Sequence, residues 1–117
     1  MRTVLVVDDD PITVERIKDS LGPRDYSVLS ASNGKECLKT AKEHNPDIII
    51  LDLIMPVMDG IEALTELRKS SDVPVVIMSA YGNPEKVEEA RELGIECFLN
   101  KPFDPVVLVD VLDVILM

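Results

Sequence analysis

Short apolar runs alternate with helical stretches five times along this chain, and no other feature of the sequence constrains its fold as tightly. Residues 3–7, 27–31, 48–51, 75–78 and 97–99 read as strands, the third being a continuous Ile48-Ile49-Ile50-Leu51 suited to burial on both faces. Residues 11–21, 34–44, 60–69, 84–93 and 105–115 read as helices. Asp10-Pro11, Asn83-Pro84 and Asp104-Pro105 each set a capping side chain before a proline at the first helical position. Gly22 and Gly94 stand just past helix ends, where a left-handed residue is expected. Alternation on this scale implies right-handed crossovers and a parallel sheet with helices on both faces. The expected architecture is α/β: one doubly wound sheet of five parallel strands in the order 2-1-3-4-5, with five flanking helices, in a single domain spanning residues 1–117.

That order sets strands one and three side by side where the winding reverses, and in such sheets ligands collect outside the carboxyl ends of the strands. The first strand runs into Asp8-Asp9-Asp10 and the third into Asp52. The following loop, with Pro56 and Gly60, cannot extend the third strand. Asp8, Asp9 and Asp52 are therefore expected to share a crevice, where they repel one another unless a cation compensates. Hard oxygen ligands with room for water suit Mg²⁺, with Mn²⁺ as an alternative occupant. The fourth strand ends in Ser79-Ala80, a hydroxyl followed by a residue too small to block the site, and the fifth is followed by Lys101-Pro102. A carboxylate, a divalent cation, a hydroxyl and a lysine are the parts needed to transfer a phosphoryl group to an aspartate.

Charge narrows the partners. The chain has 22 acidic and 12 basic residues, a net charge of -10, which argues against direct binding to nucleic acid or an anionic membrane. No run approaches the ~20 apolar residues of a membrane span, and the N-terminus leads straight into a strand with no secretion signal. Cys37 and Cys97 lack metal-ligand spacing and read as reduced packing thiols of a cytoplasmic protein. His44 falls at a helix C-terminus, where partial positive charge is favoured.

Taken together, Asp8-Asp9, Asp52 with Met55-Pro56 and Asp59-Gly60, Ser79-Ala80 and Lys101-Pro102 resemble, in order and spacing, the receiver domain of bacterial two-component response regulators, of the chemotaxis-regulator type with a flavodoxin-like sheet. The resemblance covers the whole chain. It implies that Asp52 takes a phosphoryl group from a sensor histidine kinase or a histidine phosphotransfer protein. Asp9, Asp52 and the backbone carbonyl of Ile54 would ligate Mg²⁺, and Asp8 would hold a coordinated water. Lys101 would bind a phosphoryl oxygen, with a cis bond to Pro102. Ser79, beside Ala80, would turn toward the phosphate, and Phe98 would change rotamer as the readout. Such a protein catalyses only its own phosphorylation and dephosphorylation, and switches the surface formed by the fourth helix, fifth strand and fifth helix.

The sequence departs from better-known members at several of these positions. Ile54 and Tyr81 flank the path of the hydrolytic water and offer nothing to orient it, so the phosphorylated form is expected to be long-lived. Serine replaces the commoner threonine at Ser79, and phenylalanine replaces tyrosine at Phe98. A haloacid-dehalogenase-type phosphatase with Asp8 as nucleophile is the nearest rival. It needs a threonine at position 12, which is Ile12, and Thr13 comes one residue late. A nucleotide-binding module would need a phosphate loop where Asp8-Asp9-Asp10 stands. Beyond Pro105 the fifth helix is aliphatic except for Asp110 and Asp113, with Val107, Val111 and Val114 as candidates for an exposed strip. That strip would mate with a second copy or an attached output domain; a single-domain regulator and the receiver of a longer one are both consistent with the sequence.

Overall fold

The computed structural model describes residues 1–80 and 84–117. Strands β1 (Arg2–Val7), β2 (Tyr26–Ala31), β3 (Ile48–Asp52), β4 (Val75–Ser79) and β5 (Cys97–Asn100) alternate with helices α1 (Pro11–Leu21), α2 (Gly34–His44), α3 (Gly60–Leu67), α4 (Pro84–Leu93) and α5 (Pro105–Ile115). All pairings are parallel, in the order β2-β1-β3-β4-β5. The expected doubly wound architecture is observed.

Period-two alternation divides the apolar side chains between two cores. Val4, Val6, Ile48, Ile50, Val76 and Met78 pack with Ile17 and Leu21 of α1 and Leu108 and Leu112 of α5. Leu5, Val7, Ile49, Leu51, Val75 and Ile77 pack on the other face with Cys37 of α2, Leu64 of α3 and Ala90 of α4. Both faces of the central strands are thus sealed, and their carboxyl ends emerge as the place where polar side chains can gather.

Asp10 and Asp104 cap their helices as expected, accepting from the N–H groups of Ile12 at 3.0 Å and Val106 at 2.9 Å. Asn83 lies outside the described residues. Gly94 adopts φ 94° after α4. Gly22 does not behave as expected: its φ is -51°, and the chain tightens into a 3₁₀ turn over Gly22–Arg24. Pro23 has no N–H with which to continue the α ladder. Asp25 makes the left-handed step instead, at φ 67°, with its N–H on the Gly22 carbonyl. Helix α3 stops at Leu67, two residues short of the expected limit. There Lys69 and Ser71 donate to the carbonyls of Glu66 and Leu67 in tight turns, while Arg68 reaches across to the carbonyls of Leu93 and Gly94.

Candidate functional site

Four strand ends assemble the site. Parallel pairing of β1 with β3 sets Val7 beside Leu51, so the next residues, Asp8 and Asp52, leave the sheet as neighbours. Asp8 is further fixed by its own N–H on the Ala31 carbonyl of β2 at 3.1 Å. Asp52 is the last residue of β3, opposite Met78. Carboxylate oxygens of Asp8, Asp9 and Asp52 all lie within 4.8 Å of one another, with Asp8 and Asp52 buried and Asp9 exposed. On the far side, β4 and β5 pair Ser79 with Asn100, and the Lys101 N–H bonds the Ser79 carbonyl at 2.8 Å. The Lys101–Pro102 bond is cis.

From there the Lys101 ammonium bridges the two buried carboxylates, 2.5 Å from Asp8 Oδ2 and 3.1 Å from Asp52 Oδ2. The remaining oxygens are held by the backbone: the Ile54 N–H donates to Asp52 Oδ1 at 3.1 Å and the Asp10 N–H to Asp8 Oδ1 at 2.9 Å. Burial pushes the Asp52 carboxyl above its ordinary value and the neighbouring Asp8 adds to this, outweighing the Ile54 N–H and Lys101, which act the other way. Burial acts to lower Lys101, but its bonds to Asp8 and Asp52 prevail and hold the ammonium above its ordinary range. One cation thus serves two carboxylates, and the cluster retains excess negative charge facing solvent through Asp9. Carboxylate oxygens with one open, exposed member suit a hard divalent ion that keeps part of its water shell.

The other expected site residues are distributed around this cluster. Ser79 is buried at the end of β4 and Ala80 is exposed beside it. The Ile54 side chain is half exposed while its peptide group faces Asp52. Phe98 lies opposite Ile77 and is half-buried against the core shared with α3 and α4. Tyr81 lies outside the described residues. Sequence reasoning gave no role at the site to Asp10, whose N–H steadies Asp8, or to Gly34 and Met58, which meet behind the loop. Glycine at the first position of α2 was the only signal available, and its meaning depends on what approaches it.

An α/β sheet with an acidic cluster and a bridging lysine at its switch point has the make-up of a receiver-type signalling module. A family model for the response regulator receiver domain matches residues 4–113, and the chain belongs to that family, the receiver domains of two-component systems. It is 39% identical over 103 residues to the transcriptional regulatory protein KdpE of Mycobacterium tuberculosis, an alignment covering 88% of this chain and 46% of that protein. To the transcriptional regulatory protein PrrA of Mycobacterium bovis it is 40% identical over 101 residues, covering 86% and 43%. The chain thus spans less than half the length of these curated relatives. Among solved structures it is similar to the chemotaxis response regulator CheY4 of Vibrio cholerae, with a TM-score of 0.90, 33% identity and 98% coverage of both chains. The receiver domain of the Francisella response regulator 1452 superposes with a TM-score of 0.89 at 34% identity, covering 97% and 95%.

Proposed function

We propose that residues 1–117 act as one receiver domain in which Asp52 is the phosphoacceptor. A carboxylate oxygen of Asp52 attacks the phosphorus of a phosphohistidine on a sensor histidine kinase or a histidine phosphotransfer protein. The N–P bond of the protonated phosphoimidazole breaks, the imidazole leaves neutral with the proton kept on its other ring nitrogen, and an acyl phosphate remains on Asp52. The Lys101 ammonium moves from Asp52 Oδ2 to a phosphoryl oxygen, while Asp8 keeps it within reach. The Ile54 N–H orients the carboxylate, and the Ser79 hydroxyl donates to the phosphoryl group with Ala80 leaving the approach open. Asp9, Asp52 and the Ile54 carbonyl would hold Mg²⁺, or Mn²⁺, with Asp8 acting through a water, and the ion would supply positive charge to offset that on the phosphoryl oxygens. The observation that carries this reading is the single ammonium shared by two buried carboxylates at adjacent strand ends. Asp8 is disfavoured as a phosphatase nucleophile because position 12 is Ile12, where such an enzyme needs a threonine.

Activity is confined to the protein's own phosphorylation and dephosphorylation, in the cytoplasm; no described helix is long and apolar enough to cross a membrane. Ile54 and Tyr81 slow the hydrolytic step. Phosphorylation shifts the α4–β5–α5 surface through Ser79 and Phe98. Val106, Val107 and Val114 are exposed on α5, which supports contact there with a second copy or an attached output domain. Val111, expected alongside Val107 and Val114, is instead half-buried against α1 and the sheet. The net charge of -10 disfavours direct nucleic-acid contact by this chain. Incubation with acetyl phosphate and Mg²⁺ should add one phosphoryl group, and Asp52→Asn should abolish it. Labelling that survives chelation of Mg²⁺, or that persists in Asp52→Asn, refutes the assignment.

A further inference from the structure

The loop between β3 and α3 carries the Ile54 peptide group and is held from an element to which the proposed chemistry gives no part. Gly34, the buried first residue of α2, donates its N–H to the Met58 carbonyl at 2.9 Å. A Cβ on Gly34 would fall 2.6 Å from both that carbonyl oxygen and Met58 Cγ, and 2.9 Å from Met58 Cβ. The carbonyl is backbone and cannot simply swing aside, so any side chain at position 34 must push the loop away. Two residues before the start of α3, the Met58 N–H bonds the Pro56 carbonyl at 2.8 Å, closing a three-residue turn on Val57 with φ 70°. This is the rare positive-φ form of that turn, here on a β-branched residue, and such a conformation persists only where its surroundings over-determine it.

The base of the loop is secured separately. The Gly60 N–H donates to the Leu53 carbonyl at 2.9 Å and the Leu53 N–H to the Met78 carbonyl at 3.3 Å. Its tip has the contact with Gly34. Helix α2 is itself firmly seated there: Asn33 Oδ1 accepts from the Glu36 N–H at 3.0 Å, and the Glu36 carboxylate takes the Ser32 hydroxyl at 2.7 Å and the Asn33 amide at 3.2 Å.

We infer that Gly34 is a positioning residue for the acceptor loop: by pinning Met58 it keeps the Val57 turn closed and fixes the Ile54 peptide group that serves Asp52 on one side and the cation on the other. The consequence for phosphorylation rests on the acceptor function proposed above; the consequence for loop geometry does not. Two variants of the full chain separate positioning from simple support of α2. Gly34→Ala forces the loop outward, whereas Asn33→Ala removes the helix cap and leaves the close approach intact.

Backbone amide resonances of Ile54 and Met58 followed through a Mg²⁺ titration, with no phosphoryl donor, report loop position and cation affinity together. Urea unfolding reports stability, and acetyl phosphate at saturating Mg²⁺ then reports the phosphorylation rate. Gly34→Ala should displace both amides and weaken Mg²⁺ binding by about tenfold or more, as loss of outer-sphere support does at metal sites, and should slow phosphorylation. Asn33→Ala should lose stability yet bind Mg²⁺ like the wild type. If Gly34→Ala does not fold, a backbone ester at position 34 deletes the N–H without adding a Cβ and should also weaken binding. Unshifted amides with wild-type affinity in Gly34→Ala or in the ester, or equal losses of affinity in both alanine variants, overturn the inference. Because cation affinity is read without a donor, failure of the acceptor chemistry shows separately from failure of the loop assignment.

Discussion

Replacing Val57 with asparagine should stabilise the domain by about 1 kcal/mol, the balance of terms that the backbone geometry allows. A non-glycine residue in the left-handed region costs about 1–3 kcal/mol, and a β-branched side chain belongs toward the upper part of that range. Val57 sits there at φ 70° with 74% of its surface exposed. Removing its side chain therefore forfeits only about a quarter of the roughly 1.5–3 kcal/mol of a fully buried valine, about 0.5 kcal/mol. Asparagine tolerates this conformation far better, although not freely, so most but not all of the strain is recovered. Glycine recovers all of it but makes the unfolded chain more flexible, which returns about 0.5–1 kcal/mol. Alanine loses the branching and keeps the left-handed penalty, and should be near neutral. Urea unfolding should show the midpoint rising for Asn and Gly with an unchanged slope. For a domain of this size 1 kcal/mol corresponds to a rise in Tm of about 4 °C. If both Val57→Asn and Val57→Gly lower the midpoint, the strain reading is wrong and the valine side chain makes a contribution the exposed geometry does not contain.

Asp52→Asn should make the unphosphorylated protein more stable at neutral pH. The folded carboxyl is held above its unfolded value, so its contribution is fully present below the unfolded pKa and is lost as pH rises through the folded one. The advantage of the variant should therefore shrink on acidification, and a constant gain from neutral pH to pH 4 would contradict the assignment of burial as its cause. Lys101→Met should destabilise the protein by about 3 kcal/mol, since it leaves Asp8 and Asp52 buried together without their cation. Added Mg²⁺ should restore part of that loss in urea unfolding, and no restoration would argue against the cluster as a cation site. On α5, Val114→Glu should abolish any self-association seen by light scattering with little change in stability, whereas Val111→Glu should cost stability because Val111 packs against the core. Equal unfolding midpoints for the two variants would refute that division of the helix.

The sequence by itself determined the order of elements, the parallel sheet and which carboxylates and lysine meet at the strand ends. Those depend on local regularities: period-two apolar strands, helical spacing, Asp-Pro caps, and carboxylates standing where apolar runs stop. Hydrogen bonding between strands then moved several limits, because Asp52, Ser79 and Asn100 are polar residues that composition ends early and that pairing with a neighbour draws into the sheet. An almost wholly aliphatic α5 has no periodic contrast, so only its packing on α1 and the sheet could separate buried Leu108 and half-buried Val111 from exposed Val114. Left-handed geometry at Val57 follows from no local preference of valine; it is imposed by closing the loop between β3, α3 and the tip of α2. The raised Asp52 carboxyl and its shared ammonium likewise required segments far apart in the chain to exclude water from one point. Side-chain type and spacing are written along the chain, whereas burial and the close approach of distant backbone exist only once the chain has folded.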